Sequence, residues 1–233
     1  MSSVAIGNVS EDLGRGAQAR QALVRAAVEV FGESGLEAAT TRDIAQRAQQ
    51  NIAAIAYYFG GKEGLYLAVA EHIVEVIMAR IGPVMDEAEA FLDQHRRPAA
   101  STLSYLMRLL DLSIATNQSM VPLTGIIVRE QTHPTKAFSI LYHGCLERLQ
   151  RLGAALIRAY LGNAAAEDEC IVRFHAMLGG ALAFRFARET IMRRAGWKAI
   201  GQEEEAIIRS VVTEHAKLVL RGLRRHHSRR RDS

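Results

Sequence analysis

The sequence predicts an all-α protein, with a small three-helix N-terminal domain followed by a larger helical bundle. Apolar residues recur mostly at spacings of three and four, which is the period of one face of an α-helix. The 233 residues are 49% apolar and include only four prolines, so the chain can bury a sizeable core and form long helices. This length suits a small domain fused to a larger one.

The first predicted helix follows an N-terminal arm. Residues 1–16 are polar, contain Gly and Ser, and show no periodicity, so we expect a flexible arm there. Apolar residues from Leu23 to Phe31 then fall at helical spacing, and Gly32 together with Gly35 is expected to end this helix.

Two short helices are predicted next, joined by a short turn. Thr40 has the position of an N-cap, and Asp43 three residues later can complete a capping box for a helix over 42–48. Asn51 is the next possible N-cap, for a helix over 52–59 that two glycines end. Two such helices, leaning on a longer one, form a helix-turn-helix, whose second helix enters the major groove of DNA.

Longer helices are predicted for the rest of the chain. A fourth helix from Glu63 is expected to stop at Gly82-Pro83, because proline interrupts helical hydrogen bonding. The helices expected after it span residues 84–95, 101–117, 121–131, 135–161, 167–195 and 203–225. The predicted organisation is a flexible arm over 1–16, a helix-turn-helix domain over 17–63, a ligand-sensing and dimerisation domain over 64–224 and a basic tail over 225–233.

Composition excludes several classes of protein. No apolar run reaches the roughly 18 residues needed to span a bilayer, and the N-terminus lacks the pattern of a signal peptide. Cys145 and Cys170 lie far apart and outside any metal-ligand spacing, so they are expected to be buried thiols of a cytoplasmic protein. Residues 217–233 carry seven Lys and Arg against one Asp, a net charge of +6, and the overall charge of +4 leaves −2 for the rest of the chain, so charge alone does not argue for DNA binding.

Several segments carry the pattern of a known family. Residues 26–35 read AAVEVFGESG, residues 40–45 read TTRDIA, and residues 57–66 read YYFGGKEGLY. These resemble, in order, the first helix, the second helix and the junction of the third and fourth helices of the TetR family of bacterial transcription regulators. Residues 127–138, with IVREQTHP followed by AF, are similar to the YbiH/CecR-like subgroup of that family.

This resemblance implies a regulator that binds a double-stranded DNA operator through a recognition helix at residues 51–57. The DNA-binding residues that it implies are Thr41, Arg42, Gln50, Asn51, Ile52, Ala53, Ala56, Tyr57, Tyr58 and Lys62. Lys62 also suits phosphate binding on chemical grounds, because an ammonium group beside a helix N-terminus adds to the free backbone N–H groups.

Three features depart from the family's pattern. The turn reads Gln49-Gln50, where a glycine followed by an apolar residue is usual, and a positive φ at a residue other than glycine costs about 1 kcal/mol. Ala56 stands where Tyr or Asn is common. The recognition helix has few hydrogen-bonding side chains, so its methyl groups and Asn51 are expected to favour A·T base pairs.

The C-terminal half is expected to form a homodimer and to bind an unknown small-molecule effector. Helices 167–195 and 203–225 carry broad apolar faces that need partners. The resemblance implies that these last two helices pair with their copies in a four-helix bundle, which matches a two-fold operator. The candidate ligand-binding residues are Arg129, Glu130, His133, His175, Arg185 and Arg188. The alternative for each of these residues is a structural role, either in an internal ion pair or as a solvated side chain. The alternative for His175 is a buried histidine of the core.

The function predicted from these observations is a dimeric transcriptional repressor that a small-molecule ligand releases from its operator. The alternative is a helical small-molecule-binding or adaptor protein whose helix-turn-helix domain has degenerated and no longer binds DNA. An enzyme is not expected, because Gly60-Gly61-Lys62 lacks the strand and the spaced glycines of a phosphate-binding loop. We expect no catalytic residue, no cofactor, no metal and no membrane partner.

Overall fold

Helices account for the secondary structure of the described chain. A computed structural model describes residues 4–94, 96–114, 120–162 and 165–231, and the side chains of residues 14–226 within these ranges. These residues contain no β-strand, and the predicted all-α fold is confirmed. The helices are α1 (Val4–Ala38), α2 (Thr41–Arg47), α3 (Ala53–Phe59), α4 (Lys62–Leu92), α5 (Ala99–Ser113), α6 (Val121–Thr132), α7 (Lys136–Leu141), α8 (Glu147–Leu161), α9 (Glu167–Phe186), α10 (Arg188–Ala195) and α11 (Gln202–Arg231). A π-helical segment, Tyr142–Leu146, connects α7 to α8.

The chain divides into two compact units. Unit 1 contains the described residues up to Val74 together with Val121–Leu141. Unit 2 contains Glu75–Met120 and the described residues from Tyr142 onward. Unit 1 therefore includes α6 and α7, which lie far along the chain from the helix-turn-helix.

The core of unit 1 joins the first helices as the apolar spacing predicts. Leu23, Phe31, Ile44 and Ile55 are at most 1% exposed. Phe59 at the end of α3 is only partly buried, and the Arg20 guanidinium lies 5.2 Å from the centre of its ring. The short helices α2 and α3 thus pack on α1 through one small apolar cluster.

Two glycines allow α1 and α6 to approach closely within unit 1. A Cβ added to Gly32 would lie 2.7 Å from the Cα of Pro122, and one on Gly125 would lie 2.9 Å from the Gly32 carbonyl oxygen. The helical path of α1 breaks at Gly35, where φ is 79°. The sequence predicted Gly32 and Gly35 as a joint stop, but only Gly35 breaks the helix, and Gly32 makes room for α6.

Unit 2 is built around buried side chains from α4, α5, α8, α9 and α11. Phe174 of α9 is fully buried and lies against Gly153 of α8, where an added Cβ would come within 2.3 Å of its ring. Cys145 and Cys170 are both buried free thiols, as expected. Burial raises the pKa of Cys145 to about 11.

The predicted break of the fourth helix at Gly82-Pro83 is absent. Helix α4 continues through Pro83 to Leu92. Proline disfavours the helical conformation of the preceding residue because its Cδ clashes with that residue's Cβ. Gly82 has no Cβ, so the helix can continue with the loss of one hydrogen bond.

The predicted helix over 167–195 is divided in two. Helix α9 ends at Phe186, α10 begins at Arg188, and the two axes bend by 67°. Ala187 between them has φ −103° and ψ 31°. Within the described chain no single helix is long and apolar enough to cross a membrane, although this bent pair together meets the criteria of length and composition.

Both end helices extend beyond their predicted limits. Helix α1 begins at Val4, inside the segment predicted as an arm, and α11 continues to Arg231, inside the predicted basic tail. The predicted end of the helix over residues 101–117 lies outside the described residues.

Candidate nucleic-acid interface

Helix α2 begins with the capping box that the sequence predicts. The backbone N–H of Asp43 donates to Thr40 Oγ1 at 3.1 Å, and the Thr40 hydroxyl donates to Asp43 Oδ2 at 2.7 Å. At the other end of α2, Arg47 binds Glu29 and Glu33 of α1 at 3.3 and 3.1 Å. Arg47 therefore links α2 to α1 through ion pairs at the surface.

The turn after α2 is a Schellman motif with Gln49 at its left-handed position. Gln50 N–H donates to the Ala45 carbonyl at 2.9 Å, and Gln49 N–H donates to the Gln46 carbonyl at 3.1 Å. Gln49 has φ 54°, a value that glycine adopts more easily. The backbone strain expected at this turn is therefore present at Gln49.

Asn51 caps the recognition helix α3. Its Oδ1 accepts a hydrogen bond from the Ala53 backbone N–H at 2.9 Å. The predicted capping hydrogen bond is therefore present, although α3 begins at Ala53 and not at Ile52. This hydrogen bond occupies the side-chain carbonyl oxygen of Asn51. The side-chain NH₂ group stays available to donate a hydrogen bond to a DNA base.

The outer face of α3 is open to solvent. Ile52 is 51% exposed and Tyr57 is 82% exposed, and Ala53 and Ala56 are exposed beside them. Tyr58 points back toward α1, since a Cβ on Gly16 would lie 3.3 Å from its hydroxyl oxygen. The rings of Tyr57 and Tyr58 meet edge to face at 4.9 Å.

The predicted phosphate-binding residues lie at the starts of α2 and α4. Thr41 is partly exposed and Arg42 fully on the surface. Lys62 Nζ donates to the backbone carbonyls of Glu37 and Ala39, both at 3.3 Å. The ammonium group therefore stabilises the connection between α1 and α2 in addition to lying at the N-terminus of α4.

Two glycines shape the connection between α3 and α4. Gly60 ends α3 in the left-handed conformation with φ 71°, as the sequence predicts for a helix stop. Gly64 lies so close to α3 that an added Cβ would come within 1.8 Å of the Phe59 carbonyl oxygen. Sequence reasoning missed this second role, for which the only signal is the glycine itself in the segment GGKEG.

Arg129 of α6, predicted as a ligand-binding candidate, lies against the end of α1. Its guanidinium donates to the carbonyls of Phe31 and Gly32 at 2.8 and 2.9 Å, and to that of Glu33 at 3.1 Å. These are carbonyls at the end of the straight part of α1, which helix geometry leaves without intrahelical partners. Arg129 thus acts as a side-chain cap supplied by a distant part of the chain.

Glu130, the next candidate, is 2% exposed and forms the centre of a second network. Its carboxylate accepts hydrogen bonds from the Tyr66 hydroxyl at 2.8 Å, and from the Thr135 backbone N–H and hydroxyl at 2.9 and 3.0 Å. Burial and then the hydrogen bond to Glu130 raise the pKa of Tyr66 well above its usual range. We call the Arg129 and Glu130 networks together the α6 clamp.

The remaining ligand-binding candidates are dispersed. His133 is exposed in unit 1, with Nδ1 3.1 Å from Thr132 Oγ1. His175 is exposed in unit 2, with Nδ1 3.0 Å from Gln150 Nε2, so it is not the core histidine considered as its alternative. Arg185 and Arg188 lie at the bend between α9 and α10, and Arg188 Nε donates to Met192 Sδ at 3.4 Å. The structure therefore does not bring the six candidates together.

An apolar groove lies between α9 and α11 of unit 2. It has a volume of about 440 Å³ and is lined by Met177, Gly180, Phe184, Val212, His215 and Val219 among others. Large apolar side chains on these two helices are exposed, namely Ile171, Val172, Phe186, Ile207, Val211, Leu218 and Val219. Val211 and Val219 of this set line the groove itself, and exposed apolar surface around a groove marks an interaction site.

A helix-turn-helix with an exposed recognition helix, followed by a helical second unit, defines a class of DNA-binding transcription regulators. Residues 23–69 match the family model of bacterial regulatory proteins of the tetR family, and residues 98–223 match the C-terminal domain of the HTH-type transcriptional dual regulator CecR. The chain is 39% identical over 211 residues to the dual regulator CecR of Shigella flexneri, covering 90% of this chain and 94% of that protein. The chain belongs to the TetR family of transcriptional regulators and has a CecR-type C-terminal domain.

Solved structures share the fold. A TetR-like transcriptional regulator from Rhodococcus sp. RHA1 has a TM-score of 0.58 and 17% identity, covering 88% of this chain and 96% of that one. HlyIIR, a hemolysin II transcriptional regulator, has a TM-score of 0.57 and 20% identity, covering 85% and 98%. The relatives are regulators, so the expectation that the chain is not an enzyme is confirmed by its family.

Proposed function

We propose that this regulator acts as a homodimer that represses transcription from a double-stranded DNA operator and is released by a small-molecule ligand. The observation that carries the proposal is the outer face of α3. Ile52, Ala53, Ala56 and Tyr57 are all exposed there, at spacings that place them on one side of a helix. A short helix with this open face, held by a Schellman turn and a cap, suits insertion into the major groove.

The chemistry of this face favours A·T base pairs. Methyl groups of Ile52, Ala53 and Ala56 are suited to the thymine methyl, which only the major groove presents. The Asn51 carbonyl oxygen is engaged with the backbone, so we expect its amide to act as a donor and not as a bidentate partner of adenine. Footprinting should therefore show protection of A·T-rich half-sites, and equal binding to a site with only G·C pairs at its core would contradict this preference.

The exposed apolar faces of α9 and α11 support dimerisation. Their large apolar side chains leave surface that a second copy can bury in an isologous interface. A two-fold dimer presents two recognition helices to a two-fold operator, which is the usual arrangement for helix-turn-helix proteins.

The ligand response is proposed for unit 2, and helix α4 links it covalently to the DNA-binding unit. A ligand can change operator affinity only if it binds two conformations of the dimer with different affinities. The relative from Shigella flexneri is named a dual regulator. Transcription assays on this protein should therefore test for activation at some operators as well as for repression.

The decisive experiment selects bound DNA from a random pool with the full-length protein and measures its affinity at several salt concentrations. We expect Arg42→Ala to weaken binding to all selected sequences and to lower the salt slope by about one, because it removes one phosphate contact. The matched control is Lys198→Ala, which removes an exposed lysine of unit 2 and should leave both quantities unchanged. If no DNA is selected while the protein remains a folded dimer, the adaptor alternative is favoured.

A further inference from the structure

A cavity of about 350 Å³ opens in unit 2 between α8 and the beginning of α9. Its walls include Gln150, Arg151 and Arg158 of α8 and Glu167, Cys170 and Ile171 of α9. None of the described residues that line this cavity also lines the apolar groove between α9 and α11. The cavity is therefore a separate site of unit 2, and its volume suits a small molecule.

The middle of the cavity is apolar. Ala154 and Ala155 of α8 lie between the polar residues at its two ends, and Ile171 of α9 also lines it. Alanine has the smallest side chain after glycine, so these two positions leave space above α8. This space can receive the apolar body of a ligand.

One end of the cavity carries three polar side chains of α8, Glu147, Gln150 and Arg151, which lie within about one turn of the helix. Glu147 Oε2 lies 3.0 Å from His143 Nδ1. Arg151 is exposed, and its side chain forms no hydrogen bond or ion pair with a described residue. The Arg151 guanidinium group is therefore available to an anion that enters the cavity.

Gln150 contributes an unsatisfied hydrogen-bond acceptor. Its Oε1 atom is buried and has no hydrogen-bond partner among the described residues, whereas its Nε2 atom lies 3.0 Å from His175 Nδ1. Buried polar atoms are almost always paired, and each exception calls for an explanation. An amide oxygen only accepts hydrogen bonds, so a ligand with an N–H or O–H group would satisfy this atom.

The π-helical segment Tyr142–Leu146 borders the same end of the cavity. Tyr142 lines the cavity, and its ring meets the His143 ring edge to face at 5.1 Å. His143 therefore joins Tyr142 to Glu147. Single π-helical turns within helices are rare and occur frequently at functional sites, so this segment is a second observation that points to a binding site.

We propose that this cavity binds a small zwitterion whose ammonium and carboxylate groups lie close together, as in an α-amino acid. Glu147 and Gln150 Oε1 would receive the ammonium group. The Arg151 guanidinium group would bind the carboxylate through two parallel N–H donors. A ligand with only one of these charges would leave either the acceptor or the cation without a partner. This inference rests on the proposed function, because it names the chemical class of the effector that unit 2 senses.

The first test measures the binding of three probes of similar shape to the full-length protein by calorimetry. L-Phenylalanine carries both charges, hydrocinnamate lacks the ammonium group, and phenethylamine lacks the carboxylate. We expect saturable binding of phenylalanine and binding at least about tenfold weaker for each analogue, because each loses charge-assisted hydrogen bonds. Equal binding of either analogue, or no binding of phenylalanine, would overturn the proposal.

Two variants remove the proposed contacts. Gln150→Met removes the buried acceptor and Arg151→Gln removes the cation, and each should weaken phenylalanine binding by about tenfold or more. The matched control is Arg194→Gln, which removes an exposed arginine of α10 that does not line the cavity and should leave binding unchanged. Unchanged binding in both site variants would contradict the proposal.

A third variant keeps every polar group of the cavity. Ala155→Leu places a larger side chain in the cavity at a partly exposed helical position, where leucine is almost as favourable as alanine. We expect this variant to lose phenylalanine binding while its Tm stays close to that of the wild type. A folded Ala155→Leu protein that binds phenylalanine normally would show that the ligand lies elsewhere.

Operator affinity separates this inference from the proposed function. If phenylalanine binds in this cavity without changing operator affinity, the site stands and its role in the ligand response fails. If another compound releases the operator, and Gln150→Met and Arg151→Gln respond to it normally, the ligand response stands and this cavity is not the effector site.

Discussion

At the scale of single residues, Gln49 is the clearest case of local strain. A residue other than glycine in the left-handed region costs about 1–2 kcal/mol, and Gln49 is exposed, so its side chain offsets little of this cost. Gln49→Gly should therefore raise the free energy of unfolding by up to about 1 kcal/mol, after allowing for the greater flexibility of glycine in the unfolded chain. Urea unfolding followed by circular dichroism would measure the change. A decrease in stability would show that the Gln49 side chain makes a contact that matters.

Gly64 gives a prediction of the opposite sign. In an exposed helix, Gly→Ala stabilises by about 0.5–1 kcal/mol. Gly64→Ala should instead destabilise by roughly 1–3 kcal/mol, because the new Cβ overlaps the Phe59 carbonyl and α3 must shift. The matched control is Gly222→Ala in α11, where no atom lies within 4 Å of the added Cβ and the usual stabilisation is expected. Two variants with the same sign in urea unfolding would contradict the close approach of α3 and α4.

Local chemistry at these residues was readable from the sequence because each signal spans only a few positions. The Thr40 capping box, the Asn51 cap and the strain at Gln49 depend on neighbours within three residues. The acceptors of Arg129 lie almost a hundred residues earlier in the chain. No local pattern could therefore distinguish its capping role from ligand binding.

At the scale of helices, the α6 clamp determines how α1 ends. Arg129 reaches three carbonyls with one planar guanidinium, which the single ammonium group of lysine cannot reproduce. Arg129→Lys should therefore destabilise the protein by about 1–3 kcal/mol, the cost of leaving partly buried acceptors unsatisfied. Equilibrium unfolding at a fixed protein concentration would measure the loss.

Arg47→Lys is the control for this prediction. Arg47 also binds α1, but its ion pairs with Glu29 and Glu33 are exposed, and exposed pairs contribute little. We expect its midpoint of unfolding to match that of the wild type. Equal losses for the two variants would mean that the clamp has no special role.

The predicted helices correspond to the observed ones where apolar spacing and end signals agree. Helix α4 continues past Gly82-Pro83 because Gly82, the residue before the proline, has no Cβ to clash with the proline ring. The bend at Ala187 has no signal of its own, since Ala favours helices and the apolar spacing continues across it. Helix α9 therefore ends at Phe186 without any glycine, proline or capping residue in the sequence that would predict its end.

At the scale of the whole molecule, the exposed apolar faces of α9 and α11 predict the oligomeric state. Leu218 is 58% exposed on α11, and a glutamate there would place a charge in the proposed interface. We expect Leu218→Glu to be monomeric in analytical ultracentrifugation and to lose affinity for a two-fold operator.

Val121→Glu provides the control for dimerisation. Val121 is similarly exposed, at 50%, but it lies on α6 in unit 1. This variant should remain a dimer. Dimers for both variants would exclude the α9 and α11 faces as the interface.

The return of α6 to the helix-turn-helix has a consequence for protein engineering. Regulators of this type invite chimaeras in which one protein's DNA-binding head is joined to another's sensor at a junction early in α4. Here such a junction would separate α1 from Pro122, Gly125 and Arg129. The transferred DNA-binding segment would then expose the surface of α1 that packs on α6, and the carbonyls that Arg129 binds would lose their hydrogen-bond donor. A working hybrid would have to carry residues 121–141 along with the N-terminal segment, so two cut sites, and not one, define the portable module.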